Sequence, residues 1–229
     1  MVSTKTLYNY IDMDVLSVRN IDLPMKTRRK TKTPRVRGNR RILGRGIAER
    51  PAEVEDRNEF GHWEIDTVEG LKSGDNALLT LVERKTRNYY AILIDDQDHD
   101  SVDYALTQLR EDFGDLFPEV FKTITSDNGS EFSGLTKGLH GITDVYFCHP
   151  YSPYERGSNE RHNGLLRRYI PKGKAISDYS PEAIKRTYQT LNQLPRKILD
   201  YRQPAVLFEE EVSKLEEKLR NKVKVKTAS

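Results

Sequence analysis

Cysteine is all but missing from this 229-residue chain: Cys148 stands alone. A single thiol excludes an intrachain disulfide and any zinc site built on cysteines, and it suits a reducing compartment. Its neighbours Val145-Tyr146-Phe147 read as a strand, so Cys148 is packing rather than a reactive thiol. His62, His149 and His162 have no cysteine at zinc-ligand spacing, so a retroviral-type zinc module is unsupported. Long apolar runs are missing too. None approaches the ~20 residues of a membrane helix, and no signal-peptide pattern opens the chain. Hydrophobic residues make up 36% and mean hydropathy is −0.74, a polar, soluble composition without the mark of disorder. The length suits one sizeable domain plus an appendage.

What is present is charge, and it is segregated. Residues 1–50 carry a balance of +9, residues 51–150 of −13 and residues 151–229 of +7. Bare carboxylates repel phosphate, so an acidic centre between basic flanks is odd for a simple nucleic-acid binder. It makes sense if divalent cations neutralise part of the centre while the flanks hold a polyanion.

Residues 3–13 predict one short helix, with Leu7, Tyr10 and Ile11 on one side. Residues 14–50 contain Lys26, Arg28, Arg29, Lys30, Lys32, Arg35, Arg37, Arg40, Arg41 and Arg45, and read as a basic linker. From Glu59 strands follow: His62 to Val68, Asn76 to Val82 and Tyr89 to Ile94, a meander with short turns. Ser101 to Phe117 has helical spacing in Val102, Leu106, Leu109 and Phe113. Phe121 to Ser126 and Val145 to Cys148 give two more strands, with a short helix or turn at 133–141 between them. The result is an α/β fold, a mixed five-stranded sheet flanked by helices. Setting the first strand beside the fourth would place Asp66 next to Asp127, the ribonuclease-H-like arrangement. Ser180-Pro181-Glu182 starts a helix with an N-cap hydroxyl, proline at its first position and a carboxylate near the positive dipole end. The expected organisation is a stub at 1–13, a linker at 14–50, a core at 51–208 and a polar tail at 209–229.

Three stretches carry the chemistry. Gly61-His62-Trp63-Glu64-Ile65-Asp66-Thr67-Val68 and Lys122-Thr123-Ile124-Thr125-Ser126-Asp127-Asn128-Gly129-Ser130-Glu131-Phe132 are strand-like runs with an aspartate near their ends. In the third, a Pro/Gly-rich loop from Tyr151 enters a helix, with Ser158 the expected N-cap and Pro171 stopping it near Ile170. Glu160, Asn163 and Arg167 share one face of that helix, bounded by Arg156 and Arg168. Two strand-borne aspartates and one helix-borne glutamate could surround one point. Hard oxygen ligands with open positions suit Mg²⁺ or Mn²⁺ that must also hold phosphate oxygens. Glu64 shares a strand face with Asp66 and competes as a ligand. Asp95 and Asp96 read as turn residues, Glu131 as closing the turn after Asp127, and Trp63 as core.

These pieces, with Pro150-Tyr151-Ser152-Pro153, Arg156-Gly157-Ser158-Asn159-Glu160, Asn163-Gly164-Leu165-Leu166-Arg167 and Pro195-Arg196-Lys197, resemble the DDE transposases of the insertion-sequence-thirty family, which share an integrase-type catalytic core. The resemblance covers most of residues 50–208 in order. It implies a DNA transposase that cleaves and joins strands by two-metal phosphoryl transfer. Asp66, Asp127 and Glu160 would be the catalytic and metal-binding carboxylates, with two Mg²⁺ or Mn²⁺ ions as cofactors. Arg156, Asn163, Arg167, Arg168, Lys172 and Lys174 would contact DNA. The implied partners are transposon ends, target DNA and further copies of the chain assembled on DNA, with no membrane; the implied location is a bacterial, nucleoid-associated cytoplasm. Two features depart from the family pattern. Residues 3–13 stand where helix-turn-helix segments are expected, so the chain reads as N-terminally truncated, and Leu194 stands where arginine is expected before Pro195. A catalytically silent DNA-binding remnant that interferes with full-length transposase, and a ribonuclease-H-like nuclease, remain the alternatives.

Overall fold

The computed structural model describes residues 2–23, 42–71, 74–150 and 152–227, in two compact units lying within 1–39 and 40–229. In the first, α1 (Thr4–Asp12) is capped by Ser3, whose hydroxyl accepts from the Thr6 amide at 3.2 Å. Ile11 is buried, and the Asn20 side chain donates to Asp12 at 2.8 Å. The basic run from Lys26 to Arg41 falls outside the described residues.

The second unit runs through β1 (Arg45–Gly46), α2 (Glu53–Asp56), β2 (His62–Glu69), β3 (Ala77–Glu83), β4 (Tyr89–Ile94), α3 (His99–Phe113) and α4 (Phe117–Val120). It continues with β5 (Thr123–Ser126), α5 (Leu135–Gly138), β6 (Asp144–Phe147), α6 (Gly157–Leu166), α7 (Pro181–Gln193) and α8 (Pro204–Thr227). The strands form one mixed sheet in the order β1-β6-β5-β2-β3-β4. β2, β3 and β4 are the antiparallel meander, and β5 lies parallel to β2 with Glu64 opposite Thr125. Continued by two residues, that register brings Asp66 level with Asp127. This is the α/β, ribonuclease-H-like arrangement expected.

The sheet has six strands where five are expected. The extra one, β1, is too short to show any periodicity, and it lies inside the stretch read as linker. It pairs in parallel with β6, and Arg45 both meets Asp144 at 2.7 Å and lies 4.7 Å over the Tyr146 ring. Arg50 is buried and donates to Thr125 Oγ1 at 2.7 Å. Residues 45–50 are therefore part of the packed body. At the other end, residues 209–227 continue α8, which brings Phe208, Val212 and Leu215 onto the core.

Alternation along β2 separates two cores. Trp63 and Ile65 face the cluster built with α3, α4 and α8. There Trp63 stacks on Phe121 at 4.6 Å and donates its indole N–H to Val120 O at 2.7 Å. Val68 faces the other cluster, with Leu78, Val82 and Tyr89 beneath Leu166, Ile184 and Leu191 of α6 and α7. On that second face β2 also carries Glu64 and Asp66, so α6 crosses a sheet surface that is apolar at one end and acidic at the other.

α6 differs from expectation at both ends. It starts at Gly157 after a turn at Pro153–Arg156, with Arg156 at the N-cap position, so Ser158 lies inside the helix. Its hydroxyl instead accepts from Arg87 at 2.7 Å. The helix stops at Leu166 rather than near Ile170, because the following residues tighten into turns, as in the Tyr169 N–H to Leu166 O bond of 2.9 Å. Proline at 171 forbids continuation but does not itself set the end.

Candidate active site

Asp66 lies mid-strand in β2, and Asp127 is the first residue past β5. The loop after Asp127 is held from several sides. Gly129 N–H donates to Asp127 Oδ1 at 2.8 Å, and the Asn128 side chain donates to Cys148 O at 2.6 Å while accepting from Leu43 N–H at 3.2 Å. Glycine at 129 serves close approach, since a Cβ there would collide with the Glu131 carboxylate. Glu131, nearly buried, accepts from Thr67 at 3.0 Å and Gln97 at 2.9 Å, tying the loop to β2. Its side chain thus braces the loop against β2 instead of closing the turn, which is held by Gly129 N–H on Asp127 and Phe132 N–H on Gly129 O.

Arg156 joins the two aspartates. One terminal nitrogen lies 3.0 Å from Asp66 Oδ1 and donates to Ile65 O at 3.0 Å; the other donates to Asp127 Oδ2 at 2.7 Å. Burial pushes the Asp66 carboxyl above the usual aspartate range, Arg156 pulls it back, and Asp127 adds to the rise. Burial opposes charge on Arg156, yet the two carboxylates more than offset it and its pKa is raised.

Asn163 completes the inner group. Its amide donates to Asp66 Oδ2 at 2.9 Å and accepts from Tyr89 Oη at 2.9 Å. One helical turn further on, Arg167 donates to Glu69 O at 2.7 Å. Arg156, Asn163 and Arg167 are thus turned inward onto β2, whereas Arg168, Lys172 and Lys174 are exposed. Glu160 is exposed on α6, one turn before Asn163. Among the described residues no three His, Cys, Asp or Glu side chains come close enough to hold one metal ion. The structure therefore brings Asp66 and Asp127 together and leaves Glu160 outside their group.

The donor set present fits a hard divalent cation in part. Two carboxylates already converge on one positive charge, and a cation of higher charge density could take the guanidinium's place. Glu64 is not among the donors. It is fully buried, bonded to Arg84 at 2.7 Å and to the Asn159 amide at 3.0 Å, and Arg84 also reaches Glu55 at 3.0 Å. The bridging role of Arg156 escapes a reading of residue types, since its N-cap position before α6 carries no helical periodicity. The partnership of Tyr89 with Asn163 has no local signal, since the two are far apart along the chain.

The integrase core domain family matches residues 56–153. The probable transposase for insertion-like sequence element IS1161 of Streptococcus salivarius is 42% identical over 208 residues, covering 90% of this chain and 58% of that protein. Transposase InsI for insertion sequence element IS30A of Escherichia coli is 37% identical over 173 residues, 75% of this chain and 44% of that protein. The transposase for insertion sequence element IS4351 of Bacteroides fragilis is 36% identical over 219 residues, 92% of this chain and 64% of that protein. The chain spans about half to two thirds of the length of these relatives. No helix among the described residues is long and apolar enough to cross a membrane.

Proposed function

Because the chain belongs to the insertion-sequence-thirty (IS30) family of transposases with an integrase core, we propose that it is a polynucleotidyl transferase that cleaves and joins DNA strands at the ends of an insertion element. The observation that carries this reading is the pairing of Asp66 with Asp127 on adjacent parallel strands, gripped by one cation.

In this reading Asp66, Asp127 and Glu160 would hold the metal, Mg²⁺ or Mn²⁺. When bound, two such ions would supply Lewis-acid activation of the attacking hydroxyl and stabilisation of the leaving 3′-oxygen. Asn163 keeps the Asp66 carboxylate in one orientation, and Tyr89 keeps Asn163 in place. Arg156 neutralises the aspartate pair and, once released, faces the phosphate being attacked. Arg168, Lys172 and Lys174 hold flanking phosphates, with Arg167 shaping the end of α6. Transposon ends, target DNA and further copies of the chain are the partners, in a bacterial cell.

An oligonucleotide assay with Mg²⁺ tests this. Joined products from the unaltered chain, lost in Asp66→Ala with DNA binding kept, are the expected result. An Asp66→Ala protein that still joins strands overturns the assignment. Binding without cleavage would instead make the chain a DNA-binding competitor of longer transposases.

A further inference from the structure

Across α6 from the aspartates lies a second concavity. Arg156, Asn163 and Arg167 face β2, whereas Gly157, Ser158, Arg161 and His162 point to the far side of the same helix. There they meet Arg57, Arg87 and the Pro195–Ile198 turn around a cleft of about 690 Å³. Arg57, Arg87, Arg161, Arg196 and Lys197 all line it, and among the described residues no carboxylate does.

Glu64 and Glu83, behind Arg87 and outside the lining, offset only part of this charge, an unusual arrangement for a structural purpose. Burial and then the charge of Arg57 lower the Arg87 pKa to about 10, while burial and then Arg161 lower that of Arg196. Such mutual repulsion is relieved by an anion. A second observation concerns His162, only 4% exposed and stacked on Tyr89 at 5.5 Å. Its Nδ1 lies 2.7 Å from Ser158 O. A carbonyl can only accept, so Nδ1 carries the proton and Nε2 of the neutral ring is an acceptor. Nε2 is buried and makes no hydrogen bond of ordinary geometry among the described residues, although the Arg87 backbone lies against the ring; the Nε of Arg196 makes none either. A buried polar atom without a partner is costly unless something else satisfies it.

We propose that this cleft binds one nucleotide of a nucleic-acid strand, its phosphate on the cations and a base amine or hydroxyl donating to His162 Nε2. The lining of the cleft does not include Asp66, Asp127, Glu160, Arg168, Lys172 or Lys174. This site rests on the reading of the chain as a DNA-processing enzyme only for the source of the phosphate.

Fluorescence anisotropy with a short labelled single-stranded oligonucleotide, without metal, tests the site. Arg57→Gln/Lys197→Gln should weaken binding ~10-fold and flatten the log–log salt dependence by roughly 0.7 per lost phosphate contact. Lys185→Gln/Arg186→Gln, equal in charge but on exposed α7, should not. His162→Phe, which keeps the stacked ring, should weaken binding while leaving the salt slope alone. Equal effects from the two double variants, or none from either, overturn the proposal. Saturable competition by inorganic phosphate that disappears in Arg57→Gln/Lys197→Gln supports the phosphate site and shows that free phosphate also enters. Competition unchanged by that variant overturns it. Strand joining is scored separately: a chain that binds in the cleft but never joins DNA keeps this site and loses the enzymatic reading, and the reverse result does the opposite.

Discussion

Asn163 donates its side-chain amide to Asp66 Oδ2 at 2.9 Å, from 97 positions further along the chain. The same amide is held from behind by Tyr89, so a buried phenol fixes a helix residue that in turn fixes a strand carboxylate. Hydrogen bonds to charged groups are worth about 1.5–3 kcal/mol. Asn163→Ala should therefore slow strand cleavage by ~10–100-fold, and Tyr89→Phe should have a smaller effect in the same direction. Single-turnover cleavage rates check this. Rates equal to the unaltered chain would show that Asp66 does not need the amide.

Asp66 also makes stability depend on pH. Its pKa is raised in the folded state, so the folded protein holds this proton more tightly than the unfolded chain, whose aspartates titrate near ~3.9. The contribution is neutral below the unfolded value. It turns unfavourable as pH rises through the folded pKa and stays so above it. Asp66→Asn should thus melt at a higher temperature than the unaltered chain at pH 7, lose that advantage below pH ~3.9, and cleave no DNA. Thermal melts across the range decide it; a constant difference at every pH would show that the carboxyl's ionisation is not the cause.

Glu64 and Asp66 share a strand face but make opposite demands. Glu64 neutralises buried Arg84, and breaking such a pair leaves an unmatched charge inside the protein. Glu64→Ala should cost ~3–5 kcal/mol in urea unfolding. A metal ligand would show the contrary pattern, activity lost with stability kept.

Phe208 tests whether α8 belongs to the core. Its ring lies 5.4 Å from Phe60 and 5.9 Å from Trp63, and only 7% of the residue is exposed. Phe208→Ala should destabilise the protein by about 3–5 kcal/mol, measured by chemical denaturation. A loss below 1 kcal/mol, far under that range, would show that the helix is a detachable appendage.

The meander and α7 were legible because they rest on local rules, alternation and the Ser180-Pro181 start; the placement of Asp66 beside Asp127 followed only from setting two distant strands in a ribonuclease-H-like order. β1 was not legible, because two residues carry no period and their strand character comes wholly from pairing with β6. The end of α6 was misplaced because Pro171 marks where a helix cannot go, not where tertiary packing stops it. In the candidate site the nearness of Asp66 and Asp127 was expected, whereas the structure leaves Glu160 outside their group. The inward turn of Arg156 could not be read, since an arginine beside a loop looks the same in sequence whether it faces solvent or a buried acid. Glu64 illustrates the converse: the alternation that grouped it with Asp66 says nothing of Arg84, which claims it.

Asn192 of α7 accepts from the Tyr89 amide at 2.9 Å and donates to the Tyr89 carbonyl at 2.8 Å, imitating with one side chain the neighbour that the outermost strand lacks. At the opposite border β1 offers only two residues. A newcomer strand thus meets a plugged rung on one margin and almost no ladder on the other, so edge-to-edge growth is discouraged. Any contact between two copies of this chain is thereby left to its helices and loops rather than to its sheet margins.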